Sequence, residues 1–360
     1  MKCPAALRRI LLQGPAWLYE LAVRLRIAAY ETGYLKANRL EAVVVSVGNI
    51  TLGGTGKTPL VDYIARYLGQ EGYSVAILTR GYGRQSGGQI VLGESEALSS
   101  NPGSGKGWTY QQTGDEPLLL SRLLPGVPVV INKHRVEGGR WAQRSLGSEV
   151  LILDDGYQHL RLARDLNLLI LDATDPFGGF RMVPFGRLRE PLYAIKRADA
   201  VIVTRAHRPF DQAQLVSIVR YFCGDHVPII YVYSAITRLR HLQADSLYDS
   251  DQFSGWNAWV MCGIGNPRAF VEDVVGIGVG VLGESLFRDH HPYTQQDIDL
   301  VVSNARGVGA DLILTTEKDA IRLKGLELSE VPVYAAQSEI QTEEEVRLKS
   351  MLLRLLAAKR

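Results

Sequence analysis

Short runs of β-branched and aliphatic residues alternate, from residue 42 onward, with segments whose apolar residues recur at helical spacing. The first set of runs lies at residues 43–47, 75–78, 127–131, 150–153, 166–171 and 201–203. A Gly- and Ser-rich segment at 85–113 interrupts this set, and loops of that length are usually functional or mobile. Alternation of strands and helices is typical of βαβ units, so the pattern predicts an α/β fold whose parallel sheet has helices on both faces.

A second set of apolar runs follows a polar stretch at residues 243–255. These runs lie at residues 258–262, 277–282, 312–315 and 333–335, and a helical pattern at 343–359 ends the chain. The change predicts a second, smaller α/β domain. We therefore divide the chain into an N-terminal helical segment at 1–40, a larger α/β domain at 41–235, a linker at 236–255 and a second α/β domain at 256–360.

Positive charge is concentrated at the N-terminus. The chain has 40 Lys and Arg against 38 Asp and Glu, a net charge of +2, and this balance argues against nucleic acid as a partner. Residues 1–40 contain seven basic and two acidic residues, so this segment carries +5 and the rest of the chain −3. The three cysteines form no C-x-x-C pair, which predicts neither a disulfide framework nor a thiolate zinc site.

The N-terminal segment has the pattern of a basic amphipathic helix. After Pro15, a favourable residue for a helix start, apolar residues recur at helical spacing; they are Leu18, Leu21, Ala22, Leu25 and Ala29. The charge-free runs of the chain are too short for a transmembrane helix. From periodicity alone, this helix either packs on the domain or lies at a membrane interface.

A glycine-rich loop follows the run at 43–47 and precedes a helical pattern, which is the context of a phosphate-binding P-loop. Lys57 is placed to reach the β- and γ-phosphates and the Thr58 hydroxyl to ligate Mg²⁺. Thr51 stands where the motif has its first glycine. The alternative is a glycine-rich turn with an incidental lysine. The predicted nucleotide-binding residues are Thr51, Leu52, Gly53, Gly54, Thr55, Gly56, Lys57 and Thr58.

An acidic pair, Asp154 and Asp155, ends the apolar run at 150–153. The carboxyl ends of parallel strands meet beside a P-loop, where a carboxylate can hold a metal ion directly or through water. Asp-Asp-Gly is also favourable turn chemistry, so a strand-ending turn is the alternative. We predict Thr58, Asp154 and Asp155 as metal ligands.

Several motifs together resemble the tetraacyldisaccharide 4′-kinase family, which phosphorylates the lipid A disaccharide precursor. They are G-N-I-T-L-G-G-T-G-K-T-P at 48–59, L-T-R-G-Y-G-R at 78–84, G-D-E-P at 114–117, D-D-G-Y-Q-H at 154–159, V-P-F-G-R-L-R-E-P at 183–191, F-R-D-H-H-P-Y at 287–293 and T-E-K-D at 316–319. The resemblance implies two α/β domains joined by a short β linker around an interdomain active site. It also implies transfer of phosphate from ATP, with Mg²⁺, to the 4′-hydroxyl of a lipid-linked disaccharide 1-phosphate.

The resemblance further implies a location on the cytoplasmic face of the bacterial inner membrane, with a peripheral or monotopic attachment. That expectation favours the membrane-interface interpretation of the N-terminal helix. A basic arm suits an anionic membrane surface.

By the same resemblance, Asp115 is the catalytic base, His290 its partner from the second domain, and Lys57 a third catalytic residue. His291 is a close rival to His290 within the motif. The residues alone favour a turn residue before Pro117 for Asp115 and a surface-loop histidine for His290, so both assignments depend on the resemblance. Four residues near the predicted strand ends are candidates for binding the substrate or a phosphate: Arg80, Tyr82, Arg135 and Arg187.

Two other functions fit part of the sequence. A nucleotide switch of the partitioning-ATPase type also pairs a glycine-rich loop with a membrane-binding helix, but this chain has Leu52 where those proteins carry a lysine. A GTP-dependent enzyme is the other alternative. Residues 316–319 resemble the base-reading motif of GTPases with the order of the spaced residues changed, but the sequence assigns them no role.

Overall fold

The structure is a computed structural model that describes residues 5–93, 107–328 and 331–359. It contains two mixed sheets, each covered by helices on both faces, and so confirms the predicted α/β fold class with two units. The part of the predicted excursion at 94–106 lies outside the described residues. The flanking parts of that excursion contain a short strand and a one-turn helix.

The larger sheet has eight strands in the order β3-β4-β2-β5-β1-β6-β7-β8. All neighbouring strands are parallel except β3, which pairs antiparallel with β4 at the edge. Its strands are β1 Val43–Asn49, β2 Val75–Thr79, β3 Ile90–Leu92, β4 Val129–Ile131, β5 Val150–Asp154, β6 Leu166–Asp172, β7 Ala200–Thr204 and β8 Ile229–Tyr231. The two central strands, β5 and β1, end beside the acidic pair and the P-loop, respectively.

Helices pack on both faces of this sheet, each through an apolar stripe. The helices up to β8 are α1 Ala5–Glu31, α2 Lys57–Gln70, α3 Tyr110–Thr113, α4 Asp115–Leu123, α5 Arg135–Ser145 and α6 Gln212–Cys223. One core contains Leu60 and Ile64 of α2 and Leu120 of α4. On the other face, Ile27 of α1 and Leu215 of α6 share a second core.

The smaller sheet has six strands in the order β10-β9-β14-β13-β11-β12, with the four strands from β14 to β12 parallel to one another. Its elements are β9 Tyr233–His241, β10 Leu247–Asp249, β11 Asn257–Cys262, α7 Pro267–Gly276, β12 Gly280–Leu286, α8 Gln295–Gly307, β13 Leu312–Thr316, α9 Glu317–Arg322 and β14 Val333–Gln341. Phe270 of α7 is buried on one face and Val301 of α8 on the other.

The chain passes between the two units twice, and the two passages lie side by side. Tyr233 at the start of β9 pairs with Gln341 at the end of β14. Just beyond this pair, the Thr342 hydroxyl donates to the Tyr231 carbonyl at 2.7 Å. The last helix, α10 Glu345–Lys359, then returns to the larger unit. Its buried leucines join the core of α2 and α4; they are Leu348, Leu352 and Leu356.

Residues 236–255, which the sequence pattern assigns to a linker, contain most of β9 and all of β10. β9 departs from strict alternation because a bulge in its pairing with β14 shifts the register between Gln337 and Ser338. α10, within the range predicted as the second domain, packs on the larger sheet instead.

α1 begins before Pro15 and includes it, so the helix is longer than the pattern predicts. Among the residues whose side chains are described, Ala16 and Ile27 are buried and Val23 and Tyr30 pack against the same core. The predicted apolar stripe faces away from this core, and its leucines are exposed. None of the helices in the described ranges is long and apolar enough to cross a bilayer. Of the cysteines, Cys223 and Cys262 are buried and free, whereas Cys3 lies outside the described residues.

Candidate functional site

The P-loop connects β1 to α2 at the carboxyl end of the larger sheet. Gly53 and Gly56 have φ of 114° and 78°, values that L side chains rarely adopt, so both turns require glycine. α2 begins at Lys57, whose Nζ lies 3.4 Å from Asn49 Oδ1 and 3.6 Å from Asp155 Oδ1. The loop therefore presents its backbone and the lysine at a helix N-terminus, an arrangement suited to phosphate.

Two arginines hold the backbone of this loop from outside. Arg187 donates through Nε and Nη2 to the Leu52 carbonyl at 3.2 and 2.8 Å, and its Nη1 pairs with Asp175 at 3.0 Å. Arg205, which belongs to none of the motifs described above, donates to the Gly54 carbonyl at 3.1 Å. Arg187 is thus engaged with the loop itself in this structure.

The acidic pair has two different environments. Asp154 is buried, and its carboxylate accepts from the Thr79 hydroxyl at 3.1 Å. Burial, together with the negative charges of Glu116 and Asp155, raises the pKa of Asp154 well above its ordinary value. Burial is therefore the main obstacle to ionisation of this carboxyl.

Asp155 is instead strongly paired. Arg189 donates to both of its oxygens at 2.9 and 2.8 Å. Although burial opposes ionisation, the nearby Lys57 charge and the Arg189 hydrogen bonds lower the pKa of Asp155 far below its ordinary value. Arg189 lies within the motif at 183–191, but its direct contact with Asp155 is visible only in the structure.

Arg135 contacts the backbone of the same pair. It is buried, and its Nη2 is 3.3 Å from the Asp154 carbonyl. Burial lowers the pKa of Arg135, against the charges of Asp155 and Asp154. Its Nε has no hydrogen-bond partner among the described residues.

A carboxylate and an imidazole from different units meet across the cleft. Asp115, the first residue of α4, is buried, and its Oδ2 lies 2.8 Å from His290 Nδ1 in the loop after β12. Burial alone raises the pKa of Asp115, but the His290 hydrogen bond and the charge of Lys318 bring it below its ordinary value of 3.8. Asp115 is therefore ionised at neutral pH, as a general base must be.

The neighbouring histidine points elsewhere. His291 Nε2 lies 3.1 Å from Asp297, and its ring stacks on Phe287 with the ring centroids 4.6 Å apart. The two histidines diverge because His290 has φ of 59°, a left-handed turn that separates their side chains.

The motif at 316–319 lies at the interface between the units. Thr316 caps α9 by accepting from the Asp319 backbone nitrogen at 3.0 Å. Asp319 is fully buried. It accepts a hydrogen bond from the Tyr293 hydroxyl at 2.9 Å and forms a salt bridge with Arg322 at 2.5 Å. Lys318 projects toward Asp115 and His290. Sequence reasoning identified this motif without assigning it a role.

A cavity of about 880 Å³ is lined by the loops that follow β2 and β4 and by α5. Tyr82, one of its lining residues, is near the dyad of Asp115 and His290, since its ring centroid is 5.9 Å from that of His290. The cavity contains more basic than acidic side chains; its charged, polar and aromatic lining includes Arg80, Tyr82, Arg84, Asn132, Lys133, His134, Glu137 and Trp141. Such a lining suits a ligand that combines sugar rings with an anionic group.

Over the described ranges, no three His, Cys, Asp or Glu side chains cluster to hold a metal ion by themselves. Mg²⁺ does not require such a cluster, since it usually takes one or two protein carboxylates and completes its shell with water and phosphate oxygens. Asp154, the acidic side chain without a bound arginine, fits such an ion.

A family model described as tetraacyldisaccharide-1-P 4′-kinase matches residues 8–357 of the chain. The tetraacyldisaccharide 4′-kinase of Desulfatibacillum aliphaticivorans is 37% identical over 93% of this chain and 89% of its own. That of Geobacter sulfurreducens is 35% identical over 99% of this chain and 96% of its own. A crystal structure of LpxK from Aquifex aeolicus in complex with ATP has a TM-score of 0.74 at 32% identity, covering 97% of this chain and 99% of that one.

Proposed function

The chain belongs to the tetraacyldisaccharide-1-phosphate 4′-kinase family and is a kinase with an alcohol acceptor, and we propose which residues carry each part of its reaction. ATP donates its γ-phosphoryl group to the 4′-hydroxyl of a tetraacyldisaccharide 1-phosphate in lipid A biosynthesis. The new O–P bond forms at the 4′-oxygen while the bond between the γ-phosphorus and the β–γ bridging oxygen breaks. The hydroxyl proton passes to Asp115.

The observation that carries this proposal is the 2.8 Å contact between Asp115 Oδ2 and His290 Nδ1, beside the P-loop. A phosphoryl transfer enzyme needs a positioned base for the acceptor and positive charge around the transferring group. Asp115 supplies the base. Lys57 and the backbone N–H groups of residues 51–58 supply the charge and the cradle.

Mg²⁺ fits Asp154 and Thr58 better than Asp155. The Asp154 carboxylate accepts from the Thr79 hydroxyl, whereas the Asp155 carboxylate is paired with Arg189 and lies close to Lys57. When bound, the ion supplies charge neutralisation for the β- and γ-phosphates. Asp155 has a positioning role instead, because it fixes Lys57 and Arg189 relative to the P-loop.

The acceptor occupies the cavity beside Tyr82. Arg80, Arg84 and Lys133 offer donors to its 1-phosphate, and Tyr82 and Trp141 offer aromatic faces to its sugars. The disaccharide extends from this cavity past Tyr82, which places its 4′-hydroxyl at Asp115. Arg135 is placed for a phosphate through its unpartnered Nε, while Arg187 acts by holding the P-loop.

The N-terminal helix attaches the enzyme to the cytoplasmic face of the bacterial inner membrane. Trp17, Leu18 and Leu25 are each more than 60% exposed on one side of a helix whose other side is docked. An apolar stripe in a basic segment is suited to an anionic lipid surface. The helix also touches the site, because the Tyr19 hydroxyl donates to the Arg189 carbonyl at 3.0 Å.

The test is a product assay with labelled ATP, Mg²⁺ and the disaccharide 1-phosphate in mixed micelles. We expect a lipid that carries a second phosphate, and we expect no product with an acceptor whose 4′-hydroxyl is replaced by hydrogen. ATP hydrolysis without a bisphosphorylated lipid would contradict the proposed function. Replacing ATP with GTP tests the nucleotide in the same assay.

A further inference from the structure

Lys318 lies where the two units meet and contacts groups from both. Its Nζ is 3.3 Å from Glu116 Oε1 of α4, 3.4 Å from His290 Nε2 and 3.7 Å from Asp289 Oδ1. Its side chain is only 19% exposed. The neighbouring carboxylates keep the lysine protonated, because Glu116, Asp115 and Asp289 raise its pKa against the effect of burial.

An ammonium group donates hydrogen bonds and cannot accept them. Its approach to His290 Nε2 is therefore favourable only when that nitrogen presents a lone pair. The proton of a neutral imidazole then lies on Nδ1, which faces Asp115 Oδ2 at 2.8 Å. A protonated Nε2 would point an N–H toward the ammonium.

We propose that Lys318 holds His290 as the neutral Nδ1–H tautomer, so that His290 donates to Asp115 and Asp115 alone accepts the proton of the substrate hydroxyl. This inference rests on the proposed function for its catalytic meaning. Lys318 is a positioning residue in this scheme, since it acts through His290. It also links the dyad to closure of the cleft, because Lys318 and His290 come from one unit and Asp115 and Glu116 from the other.

The charges around His290 favour this tautomer. Asp289 Oδ1, which would favour a proton on Nε2, is 3.8 Å from that nitrogen, farther than the Lys318 ammonium. The Glu116 backbone nitrogen donates to Asp115 Oδ1 at 2.9 Å, which leaves Oδ2 for the imidazole. The backbone nitrogen of His290 donates to the Gly263 carbonyl at 3.1 Å and fixes the start of the side chain.

The decisive measurement is the ¹⁵N spectrum of the histidine side chains in the full-length protein at pH 8, without substrate. A His290→Asn variant identifies the His290 signals by their loss. We expect a protonated Nδ1 and an unprotonated Nε2 in the unmodified protein. In Lys318→Met the proportion of the Nε2–H tautomer rises, and in Lys318→Arg the Nδ1–H tautomer is retained. A protonated Nε2 in the unmodified protein, or an unchanged tautomer in folded Lys318→Met, would overturn the proposal.

Kinetics supply an independent readout. We expect Lys318→Met to lower kcat about 10- to 100-fold with little change in the KM for ATP, and Lys318→Arg to recover most of the loss. Lys324→Met removes an exposed lysine near the end of α9 and is the matched control. The spectrum does not depend on turnover, so failure of the kinase assay would reject the proposed function and leave the tautomer test intact.

Discussion

Gly265 and Gly54 approach so closely that a methyl group on Gly265 would lie 2.8 Å from the backbone nitrogen of Gly54. Gly54 belongs to the P-loop, and Gly265 to the loop that follows β11 in the smaller unit. The second unit thus touches the nucleotide site directly, in addition to supplying His290. Both contacts require the two units to be close together.

Gly265→Ala tests this requirement. Because the atom opposite the new Cβ is backbone, the two loops must separate, and we expect kcat to fall about tenfold or more while the melting temperature stays the same. Gly276→Ala is the control, since nothing lies within 4 Å of a Cβ there. Full activity of Gly265→Ala would show that this approach is not needed for turnover.

The dyad predicts a characteristic pH dependence. The base must be ionised to act, so the acid limb of kcat/KM follows the pKa of Asp115, which His290 lowers. His290→Ala removes the hydrogen bond from the imidazole, which is the largest lowering influence on the pKa of Asp115, so the acid limb moves to higher pH. Asp115→Asn should lower kcat by at least about 100-fold at every pH with little change in ATP affinity. An acid limb unmoved in His290→Ala would argue against the contact with His290 as the cause of the lowered pKa.

The exposed stripe of α1 predicts membrane binding. Replacing Leu18, Leu21 and Leu25 together with serine removes apolar area without altering the docked side of the helix. Burying each leucine contributes about 1.5–3 kcal/mol, so we expect the partition onto anionic vesicles to weaken at least about 100-fold. Leu300→Ser changes an equally exposed leucine on α8 and should bind as the unmodified protein does. If the triple variant sediments with the vesicles as fully as the unmodified protein does, the stripe is not the membrane anchor.

The lowered pKa of His159 predicts that the protein becomes less stable in acid. Burial, together with the charges of Arg135 and Arg164, lowers its pKa to about 3 from an ordinary 6.5. Between these values the unfolded chain binds a proton that the folded chain does not, so stability is full above pH 6.5 and falls as the pH drops toward 3. Between pH 7 and pH 5 we expect His159 to account for a loss of about 1 to 2 kcal/mol in the free energy of unfolding.

The measurement is urea unfolding at both pH values, with His159→Gln as the comparison. The variant should lose less stability than the unmodified protein over this interval. An identical loss in both would mean that His159 is not the group responsible.

The sequence predicted the strand and helix framework well, because parallel strands buried on both faces appear as continuous apolar runs. It also predicted which side of the sheet carries the P-loop and the acidic pair, since both follow strand ends. The apolar pattern did not predict β9, although the resemblance implied a β linker there, because its bulge breaks the alternation and its charged residues, such as Arg238 and Arg240, are typical of a polar connection.

Contacts between distant segments could not be predicted from local pattern. Asp115 and His290 are 175 positions apart, and only the resemblance to a family suggested the pair. The choice between His290 and His291 depends on one left-handed residue. Arg187 and Arg189 are two positions apart in one motif, yet Arg187 contacts the P-loop backbone and Arg189 contacts the Asp155 carboxylate.

The return of α10 to the larger sheet makes the smaller unit an insertion within the larger one. A protein truncated after β8 would lack Leu348, Leu352 and Leu356 and would leave an apolar face of α2 and α4 open to water. The inserted unit is also tethered at both ends by paired strands. Any change in the relative position of the two units must therefore bend or twist both passages together.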